Sequence, residues 1–509
     1  MNKFREKGND AFKKKNYLSA WEIYTEGLSE TPTDPFLWCN RAFVNIKLEI
    51  FELGYMDALK AHNLLTSNTL PYSDSPFSVQ LLKDINLQTL FIKTFKRMAD
   101  SIALFGIPQR ATTILETLLS HSVYSKFITK NIDKQNFIND LENYKRKSIK
   151  SPISTINITR QEHLEKILDM GSSNFDYPWD KKRQENRCSD KNIKILQKEL
   201  TPYLRYIPEG TAIWNEKVFL VVHPYTIPRC HHCARRIRGE NREHLKAPPN
   251  FKCENTNCNE IFCSRNCYKL ANSQYHVPLC GKNLQSILSL IRQGKSGNND
   301  KNPLMLLKLF AMAKIQNISP LNISILKYLT QFHPTKFSSS IINTSTTFPA
   351  IFFDYYLETL NLLDISLYDI KYDFWIYVTL FNILRVNVFG SPGYLCLYRF
   401  MSLINHSCLF NTIPHHATSN DEDRILDDYN NDNEVSENNM VMITSRDIQQ
   451  GEQILSTYCD PNINKVQRGM VLIPTYGFEC DCEKCKNEDP SDMTSLYSIP
   501  LWLIKTSEE

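Results

Sequence analysis

The spacing of apolar residues changes several times along the chain, and each change predicts a different kind of secondary structure. From Ile207 to Tyr225 the segment IPEGTAIWNEKVFLVVHPY is rich in β-branched and aromatic residues, which favours strands. Between Leu284 and Leu384 the segments LQSILSLIRQ and LMLLKLFAMAKI have a helical pattern, and a polar loop from Gly294 to Pro303 separates them. Strand and turn patterns return from Tyr394 onward, whereas residues 144–190 are polar and typical of a linker. The pattern predicts a multidomain α+β protein.

A repeat of about 34 residues in the N-terminal part resembles the tetratricopeptide (TPR) unit, which is a pair of antiparallel helices. The first unit carries small, large and helix-ending residues at Gly8, Ala20, Tyr24, Gly27 and Pro32. The second carries them at Trp38, Ala42, Gly54, Ala58 and Ala61. A poorer third copy, for which generic amphipathic helices are the alternative, follows an insertion near residues 71–76 and is drawn through Ala99, Ala103, Ala111, Leu115 and Leu118. We expect a TPR-like helical solenoid over residues 1–143, with a concave face that binds peptides.

Length and charge limit the class of protein. A chain of 509 residues is expected to form roughly two to four folded units. Hydrophobic residues make up 42% and charged residues 22%, as in globular proteins, and the net charge of +4 is too small for a typical nucleic-acid-binding domain. No apolar segment follows Met1 and no stretch approaches the ~18 apolar residues of a membrane helix. We therefore expect a cytoplasmic or nuclear protein with protein partners and no membrane partner.

Two charged regions add detail to this picture. Residues 419–439 are crowded with acidic and amide side chains, including Asp421, Glu422, Asp423, Asp427 and Asp428, and predict a disordered surface insertion. The linker contains the basic runs Lys145–Lys147 and Lys181–Arg183. These runs are interpreted as solvated surface, with nuclear import or an acidic partner as the alternative.

Most of the fifteen cysteines are clustered, which in a reducing compartment indicates thiolate metal ligands rather than disulfides. Seven lie between Cys230 and Cys280, and three more form Cys480-x-Cys482-x2-Cys485. The ordered pairs of the first cluster are Cys230-x2-Cys233, Cys253-x4-Cys258, Cys263-x3-Cys267 and His276-x3-Cys280. Eight such ligands suit two tetrahedral zinc sites, and so short a segment requires metal to fold.

This cluster resembles the MYND zinc finger, including a helical run from Cys267 to Tyr275. The resemblance implies interleaved ligands, with one zinc held by Cys230, Cys233, Cys263 and Cys267. It implies a second zinc held by Cys253, Cys258, His276 and Cys280. Two departures are the long loop from Cys233 to Cys253 and the four residues between Cys253 and Cys258, which leave His231, His232 and His244 as substitute ligands. MYND fingers are mostly protein-interaction modules.

A second segment, SLINHSC from Ser402 to Cys408, resembles the NHSC motif of SET-domain lysine methyltransferases that contain a MYND finger. Flanking motifs occur in matching order: Asn387-Val388-Phe389, residues 393–398, Gly451-Glu452-Gln453-Ile454, Tyr458, Tyr476-Gly477-Phe478 and the last three cysteines. The resemblance spans residues 207–486 and implies a β-rich SET domain interrupted by the finger and a helical insertion, then a Cys-rich post-SET segment.

The resemblance also implies roles for individual residues. S-adenosylmethionine would be bound by Asn387, Ser402, Asn405 and His406. Tyr458 would be the catalytic residue at the transferring methyl group, and Tyr476 and Phe478 would line the channel for the substrate lysine. A third zinc would be held by Cys408, Cys480, Cys482 and Cys485. For each aromatic residue taken alone, core packing is the alternative.

The predicted boundaries follow from these motifs. They are 1–143 for the repeats, 144–195 for the linker and flanking segment, 196–229 for the first part of the SET domain, 230–280 for the finger, 281–386 for the helical insertion, 387–475 for the C-terminal core and 476–509 for the post-SET segment and tail. The Gly-x-Gly turn that usually opens a SET domain is replaced by Lys198-Glu199-Leu200. Either the turn lies upstream near Gly171, or the cofactor site is altered or lost. The expected function is a protein-lysine methyltransferase with about three zinc ions, and the alternative is a non-catalytic TPR and MYND adaptor.

Overall fold

The computed structural model describes residues 3–66, 84–105, 107–121, 128, 134–148, 206–223, 229–235, 237, 251–293, 301–327, 329, 351–391, 394–416 and 439–488. Its chain divides into two compact units. The first comprises residues 1–180, 338–353 and 365–376, and the second comprises the remainder. The predicted acidic insertion up to residue 438, most of the linker, Lys198-Glu199-Leu200 and His244 lie outside the described residues.

The N-terminal part of the first unit consists of helices that pack in sequential pairs, consistent with TPR-like repeats. Their bounds are α1 Lys3–Lys13, α2 Tyr17–Glu30, α3 Pro35–Lys47, α4 Phe51–Thr66, α5 Ile85–Leu104, α6 Pro108–Ser120 and α7 Lys134–Ser148. The Asp34 side chain caps α3 by accepting hydrogen bonds from the backbone N–H groups of Phe36 and Leu37. A Cβ atom on Gly8 would lie 2.2 Å from the Tyr24 ring, so the predicted glycine is what allows α1 and α2 to pack closely.

The predicted third copy also forms a packed pair of helices, α5 and α6, in which its five marker residues are buried. Helix α7 then runs to Ser148, five residues past the end that we expected for the repeats. Polar contacts help to hold this helix: the Tyr144 hydroxyl donates to Asp100, and the Lys96 ammonium lies 2.5 Å from Asp140.

Four buried charged residues lie at the centre of the first unit. Arg41 on α3 makes a bidentate ion pair with Asp57 on α4, with two N–O distances of 2.8 Å. Asp373 accepts from Arg41 at 2.7 Å and from Lys60 at 2.5 Å. All four side chains are at most 4% exposed. Although burial opposes ionisation, Lys60 and Arg41 lower the pKa of Asp373, and its charge balances theirs.

Asp373 lies in the region that we predicted to be a helical insertion of the second part of the chain. Instead, residues 338–353 and 365–376 belong to the first unit, where Phe353 also packs against Tyr55 with ring centroids 4.8 Å apart. Both segments overlap the range 281–386 that we expected to form one helical insertion, and that boundary stays a prediction. It also follows that the repeats cannot be deleted without exposing Asp373 and Phe353.

The second unit contains strands that pair in small sheets. Their bounds are β1 Tyr206–Ile207, β2 Ala212–Glu216, β3 Leu220–Val222, β4 Phe251–Lys252, β5 Ile261–Phe262, β6 Val388–Ser391, β7 Tyr394–Leu397, β8 Asn405–His406, β9 Thr412–His416, β10 Met440–Thr444, β11 Ile448–Gln449 and β12 Leu455–Ser456. The orders are β1-β11, β2-β10-β9, β3-β7-β6, β4-β5 and β8-β12, and only the last of these described pairs is parallel. The strands predicted after Ile207 are thus confirmed.

A buried apolar cluster connects two of these sheets. It contains Val221 of β3, Cys396 of β7 and Met440 and Met442 of β10, with Tyr398 and Met401 from the segment that follows β7. The carboxylate of Glu216, at the end of β2, accepts hydrogen bonds from the backbone N–H groups of Arg399, Phe400 and Met401. This carboxylate fixes the segment that leads into Ser402–Cys408.

Helices make up much of the remaining described chain. Their bounds are α8 Arg265–Ala271, α9 Gln285–Gln293, α10 Asn302–Gln316, α11 Ile351–Leu362, α12 Phe374–Asn387, α13 Lys465–Tyr476 and α14 Glu483–Asn487. The first three residues of α11 and of α12 belong to the first unit. The two helical patterns predicted after Leu284 correspond to α9 and α10. No helix among these described segments is long and apolar enough to span a membrane.

We expect Asp373→Asn to lower the free energy of unfolding of the first unit by about 3 kcal/mol, because Lys60 would remain buried without a carboxylate partner. Urea unfolding monitored by the fluorescence of Trp21, Trp38 and Trp375, which are buried in this unit, would measure the change.

The matched control is Asp364→Asn. Asp364 pairs with Lys282 at 2.6 Å, but its side chain is 68% exposed, so the expected loss is below about 1 kcal/mol. Equal losses in the two variants would contradict the central role of Asp373.

Candidate metal centres and active site

Among the described residues, three groups of four potential metal ligands have donor atoms that all lie within 4.8 Å of one another. The first Cys group is Cys230, Cys233, Cys263 and Cys267. The Cys/His group is Cys253, Cys258, His276 and Cys280. The third Cys group is Cys408, Cys480, Cys482 and Cys485. These are the three sets implied by the sequence resemblance, including the interleaving of the first two.

The spacing of the donor atoms fits zinc. Zinc–sulfur bonds of about 2.3 Å in a tetrahedron place the sulfur atoms about 3.8 Å apart. The Sγ–Sγ distances are 3.6 Å from Cys233 to Cys263 and 3.5 Å from Cys263 to Cys267. In the Cys/His group, the His276 Nε2 atom lies 3.4 Å from Cys253 Sγ and 3.8 Å from Cys258 Sγ. Three zinc sites are therefore compatible with the structure.

Short backbone elements bring these ligands together. The β4–β5 hairpin pairs Phe251 with Phe262, so that Cys253 and Cys263 follow directly after its two strands. The Ser264 hydroxyl caps α8 and accepts the backbone N–H of Cys267 at 3.1 Å. Helix α8 then continues as a π-helical turn, Asn272–His276, which ends on the ligand His276. The predicted helical run after Cys267 is confirmed.

Two of the three substitute ligands named from the sequence, His231 and His232, are among the described residues, and both lie outside the four-atom groups. His231 Nε2 contacts the Glu260 carboxylate, and His232 Nδ1 lies 3.3 Å from the Tyr275 hydroxyl. The longer spacing from Cys253 to Cys258 is thus accommodated without a histidine in place of either cysteine.

One buried lysine anchors the finger, and sequence analysis did not identify it. Lys308 of α10 donates to the backbone carbonyls of Val221 and His231, each at 2.9 Å. Burial lowers the pKa of Lys308 to about 8, while Glu260 and Cys230 favour its charged form. Lys308 therefore ties the finger to β3 and places positive charge near the first Cys group. In the sequence it lies inside a run of apolar residues, so only the tertiary structure shows its role.

The third Cys group joins two distant segments of the chain. Cys408 Sγ lies 3.8 Å from Cys480 Sγ and 3.5 Å from Cys485 Sγ, and 72 residues separate Cys408 from Cys480. Arg468 of α13, whose side chain is 1% exposed, lies 3.4 Å from Cys485 Sγ and 2.6 Å from the Glu488 carboxylate. In a zinc-bound group this guanidinium would compensate the charge of the thiolates, and no sequence pattern indicates this role.

Beside the third Cys group, four predicted site residues form an aromatic cluster, which we define as His406, Tyr458, Tyr476 and Phe478. The ring centroids of Tyr458 and Tyr476 are 4.7 Å apart, and those of His406 and Phe478 are 5.8 Å apart. The Tyr458 hydroxyl donates to the backbone carbonyl of Ile404. Gly477 ends α13 in the left-handed conformation, with φ of 78°, which turns the chain between Tyr476 and Phe478.

The His406 side chain is occupied by contacts within the protein. Its Nδ1 accepts the Tyr458 backbone N–H at 3.0 Å, and its Nε2 lies 3.4 Å from Cys408 Sγ. Burial lowers the pKa of His406 to about 4, so the ring is neutral at physiological pH. The imidazole therefore makes its contacts within the protein, and the expectation that His406 binds a cofactor stays a prediction.

The other three predicted cofactor residues either lie in the segment 402–408 or are hydrogen-bonded to it. Asn405 is in β8, paired with Leu455 of β12. The Ser402 hydroxyl donates to the backbone carbonyl of Asn387 at 2.7 Å, and the Asn387 side chain donates to the Ile383 carbonyl within α12 at 2.7 Å. The structure thus connects Asn387 to the segment that contains the predicted motif.

A cavity of about 380 Å³ lies elsewhere in the second unit, beside the Cys/His group. Its polar lining includes His223, Arg229, His231, Glu260 and Lys282. None of the predicted cofactor or lysine-channel residues lines it.

Comparison with known proteins gives partial support to the family resemblance. No protein-family model matches the chain. A SET and MYND domain-containing protein of Dictyostelium discoideum is 23% identical over 277 residues, which is 51% of this chain and 71% of that protein. This similarity is distant, and it supports a relationship without establishing catalysis.

Two further relatives match near the N-terminus. DnaJ homolog subfamily C member 7 of Mus musculus is 44% identical over 64 residues, and Hsp70-Hsp90 organizing protein 2 of Arabidopsis thaliana is 43% identical over 60 residues. Each match covers 12% of this chain, and 13% and 10% of the two relatives, respectively. They support TPR-like repeats in this part of the chain.

We expect elemental analysis of the purified protein to give about three zinc ions per chain, one for each group of ligands. Cys408→Ser should lose one of these ions and loosen the packing of Tyr476 and Phe478 against Tyr458 and His406, because Cys408 is the ligand that connects the two segments.

Cys459→Ser provides the matched control. Burial raises the pKa of the Cys459 thiol to about 11, and Cys480 and Cys485 lie near enough to add to this effect, but Cys459 is outside the third Cys group. It should retain all the zinc. A zinc content near one in the unaltered protein would contradict the assignment.

Proposed function

We propose that this chain is an S-adenosylmethionine-dependent protein-lysine N-methyltransferase that acts on histone or non-histone proteins. The observation that carries the proposal is the aromatic cluster, in which Tyr458, Tyr476 and Phe478 meet beside the Asn405–His406 strand. These residues come from separate parts of the chain, so their contact is a property of the fold. The distant similarity to a SET and MYND domain-containing protein supports the same reaction class.

The residues of the cluster suit a cationic ligand. Aromatic faces attract cations such as sulfonium and methylated ammonium groups. Burial raises the pKa of Tyr476, so its hydroxyl remains neutral and contributes no charge that would trap the ligand. When bound, S-adenosylmethionine supplies an electrophilic methyl group. In the proposed site, the Asn405 side chain and the backbone of His406 bind the cofactor, together with Asn387 and Ser402.

Tyr458 would position the reacting amine. Its hydroxyl proton is directed to the Ile404 carbonyl, so the oxygen lone pairs are available to a lysine nitrogen or to the partly transferred methyl group. Tyr476 and Phe478 would enclose the lysine side chain and exclude water. The neutral amine is the nucleophile, so the main work of this site is orientation rather than proton transfer.

The TPR-like arm is proposed to bind protein partners. A polar cluster on its helices supports this role: the Tyr24 hydroxyl donates to Asn9 at 2.7 Å, and the Asn40 side chain donates to the same oxygen at 3.0 Å. Burial raises the pKa of Tyr24 to about 12, while Arg97 and Arg5 oppose this shift, which means that both cations lie near the hydroxyl. Two cations and two amides form a surface suited to a partner's carboxylates.

The rival proposal is a non-catalytic adaptor, in which the arm and the finger bind partners and the second unit serves as a scaffold. It is motivated by Lys198-Glu199-Leu200 in place of the usual glycine turn. Isothermal titration calorimetry with S-adenosylmethionine separates the two proposals, since the adaptor would give no binding heat.

We expect Tyr458→Phe to reduce turnover about 10²-fold or more and to leave S-adenosylmethionine affinity nearly unchanged, because a positioned hydroxyl acts mainly in the transition state. Asn405→Ala should instead weaken cofactor binding. Transfer of a labelled methyl group to unmodified cellular proteins measures the first effect, and calorimetry measures the second. Undiminished transfer by Tyr458→Phe would refute its role.

We expect the arm to bind Hsp70 or Hsp90, by analogy with the Hsp70-Hsp90 organizing protein, and Lys93→Glu to weaken this binding about tenfold or more. Lys93 is exposed on α5, one turn before Arg97. Calorimetry with purified Hsp70 and Hsp90 would test this.

Lys13→Glu is the control, because Lys13 is exposed at the end of α1 and makes only an exposed pair with Asp10. It should bind as the unaltered protein does. Loss of binding in both variants would indicate a general charge effect rather than the proposed surface.

A further inference from the structure

The imidazole of His406 contacts two functional groups at the same time. Its Nδ1 lies 3.0 Å from the backbone nitrogen of Tyr458, and its Nε2 lies 3.4 Å from Cys408 Sγ. A backbone N–H can only donate, so Nδ1 is the acceptor and carries no proton. The single proton of the neutral ring is therefore on Nε2, where it is directed toward the Cys408 sulfur.

We infer that His406 is a positioning residue that connects the metal state of the third Cys group to Tyr458. It forms a continuous chain of contacts from the Cys408 sulfur, through the imidazole, to the Tyr458 backbone. The effect on catalysis rests on the proposed methyltransferase function, whereas the structural connection does not.

The chemistry of sulfur explains how this connection responds to metal. Binding of zinc requires Cys408 to be a thiolate, and a thiolate accepts an N–H hydrogen bond more strongly than a thiol does. Occupation of the third Cys group therefore strengthens the bond from Nε2 and fixes the orientation of the ring. A fixed ring in turn fixes the acceptor for the Tyr458 N–H.

The surrounding contacts make this orientation matter for the whole aromatic cluster. The His406 ring lies 5.3 Å from the Tyr458 ring and 5.8 Å from the Phe478 ring, measured between centroids. Strands β8 and β12 run in parallel here, with His406 opposite Ser456, two residues before Tyr458. A rotation of the imidazole would therefore change its contacts with Tyr458 and with Phe478 together.

Two substitutions separate the two ends of the connection. In His406→Asn, the amide oxygen can take the place of Nδ1 and accept the Tyr458 N–H, but the shorter side chain does not reach Cys408. In His406→Gln, the amide N–H₂ can take the place of Nε2 and donate to Cys408, but no acceptor remains for Tyr458. Each variant thus serves as the control for the other.

Two spectroscopic measurements on the full chain report on the two ends. With cobalt(II) in place of zinc, the sulfur-to-cobalt charge-transfer band reports on the ligand sulfurs. In protein labelled with ¹⁵N-tyrosine, the Tyr458 amide signal is identified by its loss in Tyr458→Phe. We expect His406→Asn to shift the cobalt band and His406→Gln to shift the Tyr458 amide signal, each with little effect on the other measurement.

A third substitution tests whether loss of the metal group affects Tyr458 through His406. Cys482→Ser removes a ligand of the third Cys group other than Cys408, the one that His406 contacts, and it should shift the Tyr458 amide signal when His406 is present. In the His406→Asn background this shift should be smaller, because the part carried by His406 is lost while the part caused by movement of Tyr476 and Phe478 remains. An equal shift in the two backgrounds, or an unchanged Tyr458 signal in Cys482→Ser, would overturn the inference.

Failure of the inference and failure of the proposed function give different results. Spectral shifts as expected, in a protein that transfers no methyl group, would support the connection and refute the enzyme. Methyl transfer with unchanged spectra would support the enzyme and refute the connection through His406. If both hold, His406→Gln should lower kcat more than it raises KM, since it alters the position of Tyr458 rather than binding of the substrate.

Discussion

The clustering of Cys408 with three cysteines of the C-terminal segment is the interaction on which the candidate active site depends. Metal binding by such a group is worth about 10–16 kcal/mol in small zinc domains, whereas each aromatic pair adds about 0.5–1.5 kcal/mol. The contacts of Tyr476 and Phe478 are therefore too weak to hold the C-terminal segment by themselves. The ligand group determines that these two rings lie beside Tyr458, and the aromatic contacts then set their orientation.

Buried charges in the second unit follow from the same constraint. Four thiolates around one divalent ion leave an excess of negative charge, which is costly in a site of low dielectric constant. Lys308 lies near the first Cys group and Arg468 near the third, and both are almost fully buried. Each cation also donates to backbone or carboxylate oxygen atoms, so it would neutralise a zinc-bound group and it fixes a neighbouring segment as well.

The local chemistry could be predicted from the sequence because it depends on short spacings and residue types. The Cys and His pairs, the small residues of the repeats and the strands after Ile207 all belong to this class. The positions of Asp373, Lys308 and Arg468 could not be predicted in the same way. Their partners are distant in sequence or are backbone carbonyls, which carry no residue-type pattern. His406 lies between these two classes. Its motif is recognisable in the sequence, but the contacts of its side chain with Tyr458 and Cys408 are not.

The separation of Arg41 and Asp373 by 332 residues affects the protein during its synthesis on the ribosome. Synthesis at about 5–20 residues per second leaves roughly 20–70 s between the emergence of these two residues. During that interval α3 and α4 can pair, but Lys60 has no Asp373 to neutralise it and Tyr55 has no Phe353 to cover it. The newly made repeats are therefore incomplete for far longer than helices take to form, and they remain open to other proteins until the second half of the chain has been translated.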